Sequence, residues 1–123
     1  MKLIVGGYGQ GKLQYVRRTY QTENWYVAEA CLPDVAEQVI INHFHLWVRE
    51  MLKENAKPEE KLAEYLQTHK DCIFISDEIG NGLVPMDAFE RAYRERTGRM
   101  LIAIAQQAEE VVRVICGMGQ KIK

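Results

Sequence analysis

The chain is short of the features that mark several broad classes. No apolar run approaches the ~20 residues that a membrane-spanning helix needs, so no membrane association is expected. It lacks charge of one sign: 16 Lys and Arg against 17 Asp and Glu leave a net charge of −1. That balance excludes a global attraction to nucleic acid or to an anionic lipid surface. Cysteine is scarce. Cys31, Cys72 and Cys116 lie far apart, without metal-ligand spacing. Two of them fall in apolar runs and read as buried free thiols. The first apolar run is short and leads straight into a glycine turn, which predicts no signal peptide and, by default, a cytoplasmic location. Internal repeats, low-complexity tracts and linkers are missing too. The 123 residues therefore read as one domain over 1–123, long enough to bury a substantial core.

What is present is an alternation of short apolar runs with longer helical patterns. Lys2–Val5, Trp25–Ala28, Val39–Asn42, Cys72–Ser76 and Val111–Cys116 are candidate strands. Several are continuously apolar and β-branched, as expected of strands covered on both faces of a parallel sheet. Candidate helices cover Lys12–Gln21, Leu46–Asn55, Pro58–Thr68 and Met86–Glu110. In the last, Gly98 marks a bend or a close approach by another backbone. Trp25 and Trp47 read as core or interface anchors. The tail from Gly117 to Lys123 reads as a hairpin into a short edge strand blunted by lysines. The order predicts an α/β fold with a mostly parallel sheet, and ligands in such sheets bind beyond the carboxyl ends of the strands.

At the first of those ends stands Gly6-Gly7-Tyr8-Gly9-Gln10-Gly11-Lys12. A glycine, four residues, then Gly-Lys, set between a strand and a helix, is the pattern of a phosphate-binding P-loop. Glycines let the backbone curl around phosphate oxygens, and the helix that follows turns its positive end to the same anion. Gly6, Gly7, Tyr8, Gly9, Gln10, Gly11, Lys12 and Leu13 are the expected nucleotide-binding residues. Leu13 stands where Ser or Thr normally offers magnesium a hydroxyl, which weakens the expected metal site. The alternative is a glycine-rich turn that only tightens packing.

Ser76-Asp77-Glu78-Ile79-Gly80-Asn81-Gly82 closes another strand. Asp77 or Glu78 there can hold magnesium or orient a nucleophile; otherwise one caps the next turn and the other is solvated. Gly80 and Gly82 suggest positive φ or a close backbone contact. Asn42 occupies a strand end where P-loop nucleotidases often carry an acid. His43 and His45 are too few for a metal site. They read as ordinary loop histidines or as phosphate contacts, since imidazole titrates near neutrality. Arg91, Arg94, Arg96 and Arg99, interleaved with Glu90 and Glu95, read as a solvated ion-pair surface or as phosphate clamps.

These stretches together resemble the adenosylcobinamide kinase / adenosylcobinamide-phosphate guanylyltransferase family. Residues 75–85, Ile-Ser-Asp-Glu-Ile-Gly-Asn-Gly-Leu-Val-Pro, are similar to that family's S-N-E-V-G-x-G-I-V-P. Residues 91–99 resemble its R-x-F-R-D-x-x-G-R, the ending its G-x-G-x-K, and 45–48 its T-L-W-L segment. Two departures stand out. Gln10 and Leu13 replace both serines of the family's G-G-x-x-S-G-K-S. The segment that carries its H-x-x-x-R histidine, which becomes guanylylated, has no counterpart between Ala28 and Val39.

The resemblance implies a P-loop NTPase-like three-layer sandwich that forms trimers. It implies GTP or ATP with Mg2+ as cofactors, and a corrinoid of cobalamin synthesis as substrate. Lys12 and Glu78 are the catalytic residues it implies, Glu78 also holding a weakened metal. The expected function is nucleotide binding with phosphotransfer and without the guanylyl-histidine step. The alternative is an inactive relic acting as a binding or oligomeric interaction module.

Overall fold

The computed structural model describes residues 1–35, 38–79 and 87–123. The apolar runs form β1 (Lys2–Gly6), β2 (Tyr26–Glu29), β3 (Val39–Asn42), β4 (Cys72–Asp77) and β5 (Glu110–Ile115). A last strand, β6 (Met118–Lys121), follows β5. The helices are α1 (Lys12–Thr19), α2 (Phe44–Lys53), α3 (Pro58–Thr68) and α4 (Ala88–Gln107). One six-stranded sheet has the order β2-β3-β4-β1-β5-β6. All its pairs are parallel except β5 with β6, which is antiparallel.

Side-chain alternation divides the sheet into two faces. Ile4, Ile40, Ile73, Ile75, Val112 and Val114 form one buried cluster with Val16 of α1. Their strand neighbours Leu3, Val39, Ile41, Cys72, Phe74 and Val111 join α2, α3 and α4 in the other. The result is the three-layer α/β arrangement that the sequence predicts. The bidentate Arg49–Glu90 ion pair, at 3.0 and 2.5 Å, ties α2 to α4, and Arg49 also lies over the rings of Phe89 and Tyr93.

Several boundaries differ from the expected ones for local reasons. Helix α1 ends at Thr19 because Tyr20 is extended. Helix α2 starts at Phe44, two residues early, because His43 turns the chain in a left-handed conformation at φ 54°. Asp87 caps α4, its carboxylate accepting from the amides of Phe89 (2.7 Å) and Glu90 (3.2 Å). The expected start at Met86 lies outside the described residues, as do Gly80, Gly82 and the rest of the signature after Ile79.

No other backbone among the described residues closely approaches Gly98. Helix α4 runs unbroken through it, and a Cβ there would meet nothing within 4 Å. Among the cysteines only Cys72 is buried. Cys31 and Cys116 are exposed, Cys116 because it leaves the apolar run at the β5–β6 turn with φ 50°. Trp47 is buried in the core, and Trp25 packs partly buried against the α1-side cluster. The tail does form the expected hairpin. Among the described residues no helix is long and apolar enough to cross a membrane.

Candidate functional site

Loop 7–11 joins β1 to α1 at the carboxyl edge of the sheet. Its entrance allows no side chain: a Cβ on Gly6 would stand 2.5 Å from the carbonyl oxygen of Val114 on β5. Its crown needs left-handed residues, Gly9 at φ 70° and Gly11 at φ 82°. Gly11 precedes α1 without a side-chain cap, and the first turn of α1 carries no acid. The free first-turn amides and the helix dipole are therefore open to an external anion.

The β5–β6 turn fixes the far side of the loop. The Gln10 carboxamide oxygen accepts from the Cys116 amide at 2.7 Å, and the Gln10 carbonyl accepts from the Gly117 amide at 2.8 Å. Arg18 donates to the Gly117 carbonyl. Gln10 is thus a strut between loop and hairpin. Leu13 packs against the α1-side cluster, which accounts for an apolar residue where a hydroxyl was expected. Tyr8, at 90% exposure, projects into solvent.

Lys12 is buried at the base of the loop. Its ammonium donates to the Gly7 carbonyl at 2.8 Å and lies 2.7 Å from Asp77 Oδ1. An ammonium has three N–H donors. Two are used among the described residues, and the third is available to a ligand oxygen. The Asp77 amide donates to His45 Nδ1 at 3.1 Å, which places the imidazole proton on Nε2, 3.3 Å from Asp77 Oδ2. Burial holds the His45 pKa below its ordinary value against the upward pull of Asp77, with His43 and Lys12 adding to the depression. His45 is therefore a neutral donor at pH 7, and Lys12 balances the charge of Asp77.

Beside this trio, Glu29 at the end of β2 accepts from Asn42 Nδ2 at 2.8 Å and lies 2.7 Å from His43 Nδ1. Burial pushes the Glu29 pKa up, but the hydrogen bonds from Asn42 and His43 outweigh it, and the net shift is downward. Lys12, Asp77, Asn42 and His43, together with exposed Tyr8 and with Gly9–Gln14, line one cavity of about 300 Å³. A cavity of about 600 Å³ lies between α2, α3 and the segment after β2, lined by Leu32, Trp47, Met51, Tyr65 and His69, with exposed Asp34, Lys61 and Glu64. Size does not decide between them. What distinguishes the smaller one is that its ammonium, carboxylate and imidazole converge on the uncapped start of α1.

The expected acid, Glu78, is placed elsewhere. Its carboxylate grips Arg113 of β5 at 2.7 and 3.1 Å. Strand parity explains the difference. Asp77 shares a face with Ile73 and Ile75, on the side of α1, whereas Arg113 lies between Val112 and Val114 and points the other way. The same parity was available in the sequence. Arg96 and Arg99 pair with Glu59 and Glu95, as an ion-pair surface would. Among the described residues no three His, Cys, Asp or Glu side chains form a metal-holding group. The donor set does not fit a protein-held magnesium: Leu13 offers no oxygen, Glu78 is spent on Arg113, and both Asp77 oxygens face Lys12 and His45.

A family model described as cobinamide kinase / cobinamide phosphate guanyltransferase matches residues 17–122. The chain belongs to this family. The assignment bears out the resemblance seen in the motifs. The cobinamide kinase / guanyltransferase match begins after the glycine loop, so the loop stands on its own geometry. Two relatives are named bifunctional adenosylcobalamin biosynthesis protein CobU. The one from Escherichia coli is 32% identical over 69 residues, covering 56% of this chain and 38% of the relative. The one from Salmonella typhimurium is 37% identical over 51 residues, covering 42% and 28%. The chain thus spans well under half the length of these relatives.

Proposed function

We propose that the Gly6–Leu13 loop binds the phosphates of GTP or ATP. Lys12 and the open amino end of α1 supply the positive potential, and the bound nucleotide serves phosphoryl transfer to a cobinamide-type corrinoid. The observation that carries the reading is the Lys12 ammonium, buried beneath a loop with Gly9 and Gly11 in left-handed conformations. Asp77, rather than Glu78, is the acid that belongs to this site. The guanylyl-histidine step has no part in the reading, because no histidine lies between β2 and β3. Association into a homo-oligomer, a trimer by family resemblance, belongs to the same proposal. Magnesium has no part in it, since the donors among the described residues do not fit that ion.

A second reading, a binding module without turnover, is favoured by one observation. Asp77 is neutralised from within by Lys12 and hydrogen-bonded by His45, which leaves it poorly placed to take a proton or a metal. Calorimetric titration with GTP and with ATP, each with and without Mg2+, tests both. Lys12→Ala is expected to weaken binding about 10- to 100-fold, the range of one lost charge-assisted hydrogen bond. Unchanged affinity in a folded Lys12→Ala protein overturns the nucleotide reading. Binding indifferent to Mg2+, with no phosphate transferred to cobinamide, favours the module. Leu13→Ser is expected to restore some Mg2+ dependence while losing apolar packing.

A further inference from the structure

The Glu29–His43 pair is not used by the reading above, yet its histidine lines the same cavity. It is assembled from two chain reversals. Ala30, at φ 52°, donates its amide to the Asn42 carbonyl at 2.9 Å, which brings the ends of β2 and β3 together. His43, at φ 54°, then turns the chain into α2. Two left-handed non-glycine residues in facing positions are a local cost that the surrounding contacts must hold in place. What they hold is a carboxylate with both oxygens occupied, one by the Asn42 carboxamide and one by the His43 ring.

An ionised carboxylate only accepts hydrogen bonds, so His43 Nδ1 must carry a proton toward Glu29. The orientation of the ring is thereby set, and Nε2 is the nitrogen left for a cavity ligand. The groups around it are Glu29 from β2, Asn42 from β3, His45 from α2 at 5.8 Å between ring centroids, and Asp77 and Lys12 across the cavity. Lys12 is already balanced by Asp77. A polyphosphate entering the cavity brings several negative charges and meets one ammonium that is half committed. With a neutral ring, the Glu29–His43 pair adds a further negative charge. With a protonated ring the pair is neutral and offers an N–H donor to the anion.

We infer that His43, braced by Glu29, is a proton-coupled anion contact: it meets the outer phosphate groups through Nε2–H in the imidazolium form, so that capture of polyphosphate takes up a proton. The inference rests on the nucleotide reading and adds a residue and a pH dependence to it. Glu29 acts as a positioning residue: its Oε2, 2.7 Å from Nδ1, orients the ring and leaves Nε2 for the ligand. His45 cannot take this part, because its Nδ1 accepts from the Asp77 amide and its Nε2 is turned to the Asp77 carboxylate.

The test is the pH dependence of binding for inorganic tripolyphosphate and for GTP, from about pH 6 to pH 8, in the wild type, His43→Gln, Glu29→Gln and Lys12→Ala. Circular dichroism first checks that each variant is folded. The ligand's own titration is common to all, so a difference in slope belongs to the side chain. The wild type is expected to lose roughly tenfold more affinity than His43→Gln across that range, the effect of about one unit of linked pKa change. Glu29→Gln is expected to fall between them. In nitrogen-15 spectra the His43 ring, identified by its loss in His43→Gln, should become protonated on adding tripolyphosphate at about pH 7.

If His43→Gln keeps the wild-type slope, or the ring does not respond while Lys12→Ala abolishes binding, the inference is overturned and the nucleotide site stands. If the wild type binds neither ligand, both fall together.

Discussion

Gly6 and Gly98 show how differently one residue type can be constrained. At Gly6 the obstacle to a side chain is the Val114 carbonyl oxygen, 2.5 Å from where a Cβ would stand, and β1 and β5 are paired on either side of it. A methyl group can be seated only by spreading two central strands. Gly6→Ala is therefore expected to lower stability by about 1–3 kcal/mol, the usual range for overpacking. A urea unfolding curve checks this, and a loss below about 0.5 kcal/mol would show that β5 yields freely. Gly98 lies inside α4 with nothing within 4 Å of its missing Cβ. Only helix propensity acts there, so Gly98→Ala is expected to raise stability by about 0.5–1 kcal/mol in the same measurement. Destabilisation by that substitution would mean that an additional partner packs against this stretch of the helix.

Among the described helices, α4 is the one closed by a side-chain cap, Asp87. Asp87 satisfies two first-turn amides and opposes the helix dipole. Asp87→Ala is expected to cost about 1 kcal/mol, with faster amide exchange confined to the first turn; protection unchanged at Phe89 and Glu90 would contradict the cap. The elements were the most legible part of this chain. Ile73-Phe74-Ile75 and Val39-Ile40-Ile41 are apolar on both parities because helices cover both faces of the sheet. The tail after Gly117 fits an edge strand, and β6, which ends at Lys121, is one. The loop from Gly6 to Lys12 was equally plain, because its glycines answer to local backbone demands. Contacts between distant residues were not legible. Glu29 meets His43 only because β2 and β3 are adjacent and two residues adopt positive φ, and neither condition is written in spacing. Asp77 against Glu78 lay between these cases. Both are acids at one strand end, and only the parity of Ile73 and Ile75 separates them.

Across the whole molecule, the shifted groups that titrate below about pH 8 pull stability in one direction with pH. The buried His45 has its pKa depressed below the ordinary 6.5. The carboxylates of Glu59, Glu90 and Glu109 are depressed below 4.5, chiefly by hydrogen bonds from Arg96, Arg49 and Lys2 respectively, and Glu29 is depressed by Asn42 and His43 against its burial. A depressed folded pKa means that, between the folded and unfolded values, the unfolded chain binds a proton that the folded chain refuses. Lowering the pH then favours unfolding. His45 contributes first, its share fully present above about 6.5 and lost as pH falls toward its folded value, with a slope of at most about 1.4 kcal/mol per pH unit for one proton. The glutamates contribute later, below about 4.5, and more weakly per group where they are exposed. Thermal or urea midpoints taken from about pH 8 down to pH 4 should therefore fall in two stages. His45→Gln keeps an amide donor near Asp77 but cannot titrate, so it should flatten the upper stage and leave the lower one in place. A wild-type curve level down to about pH 5, or an upper stage that survives in His45→Gln, would show that the imidazole beside Asp77 does not set the acid limit of this fold.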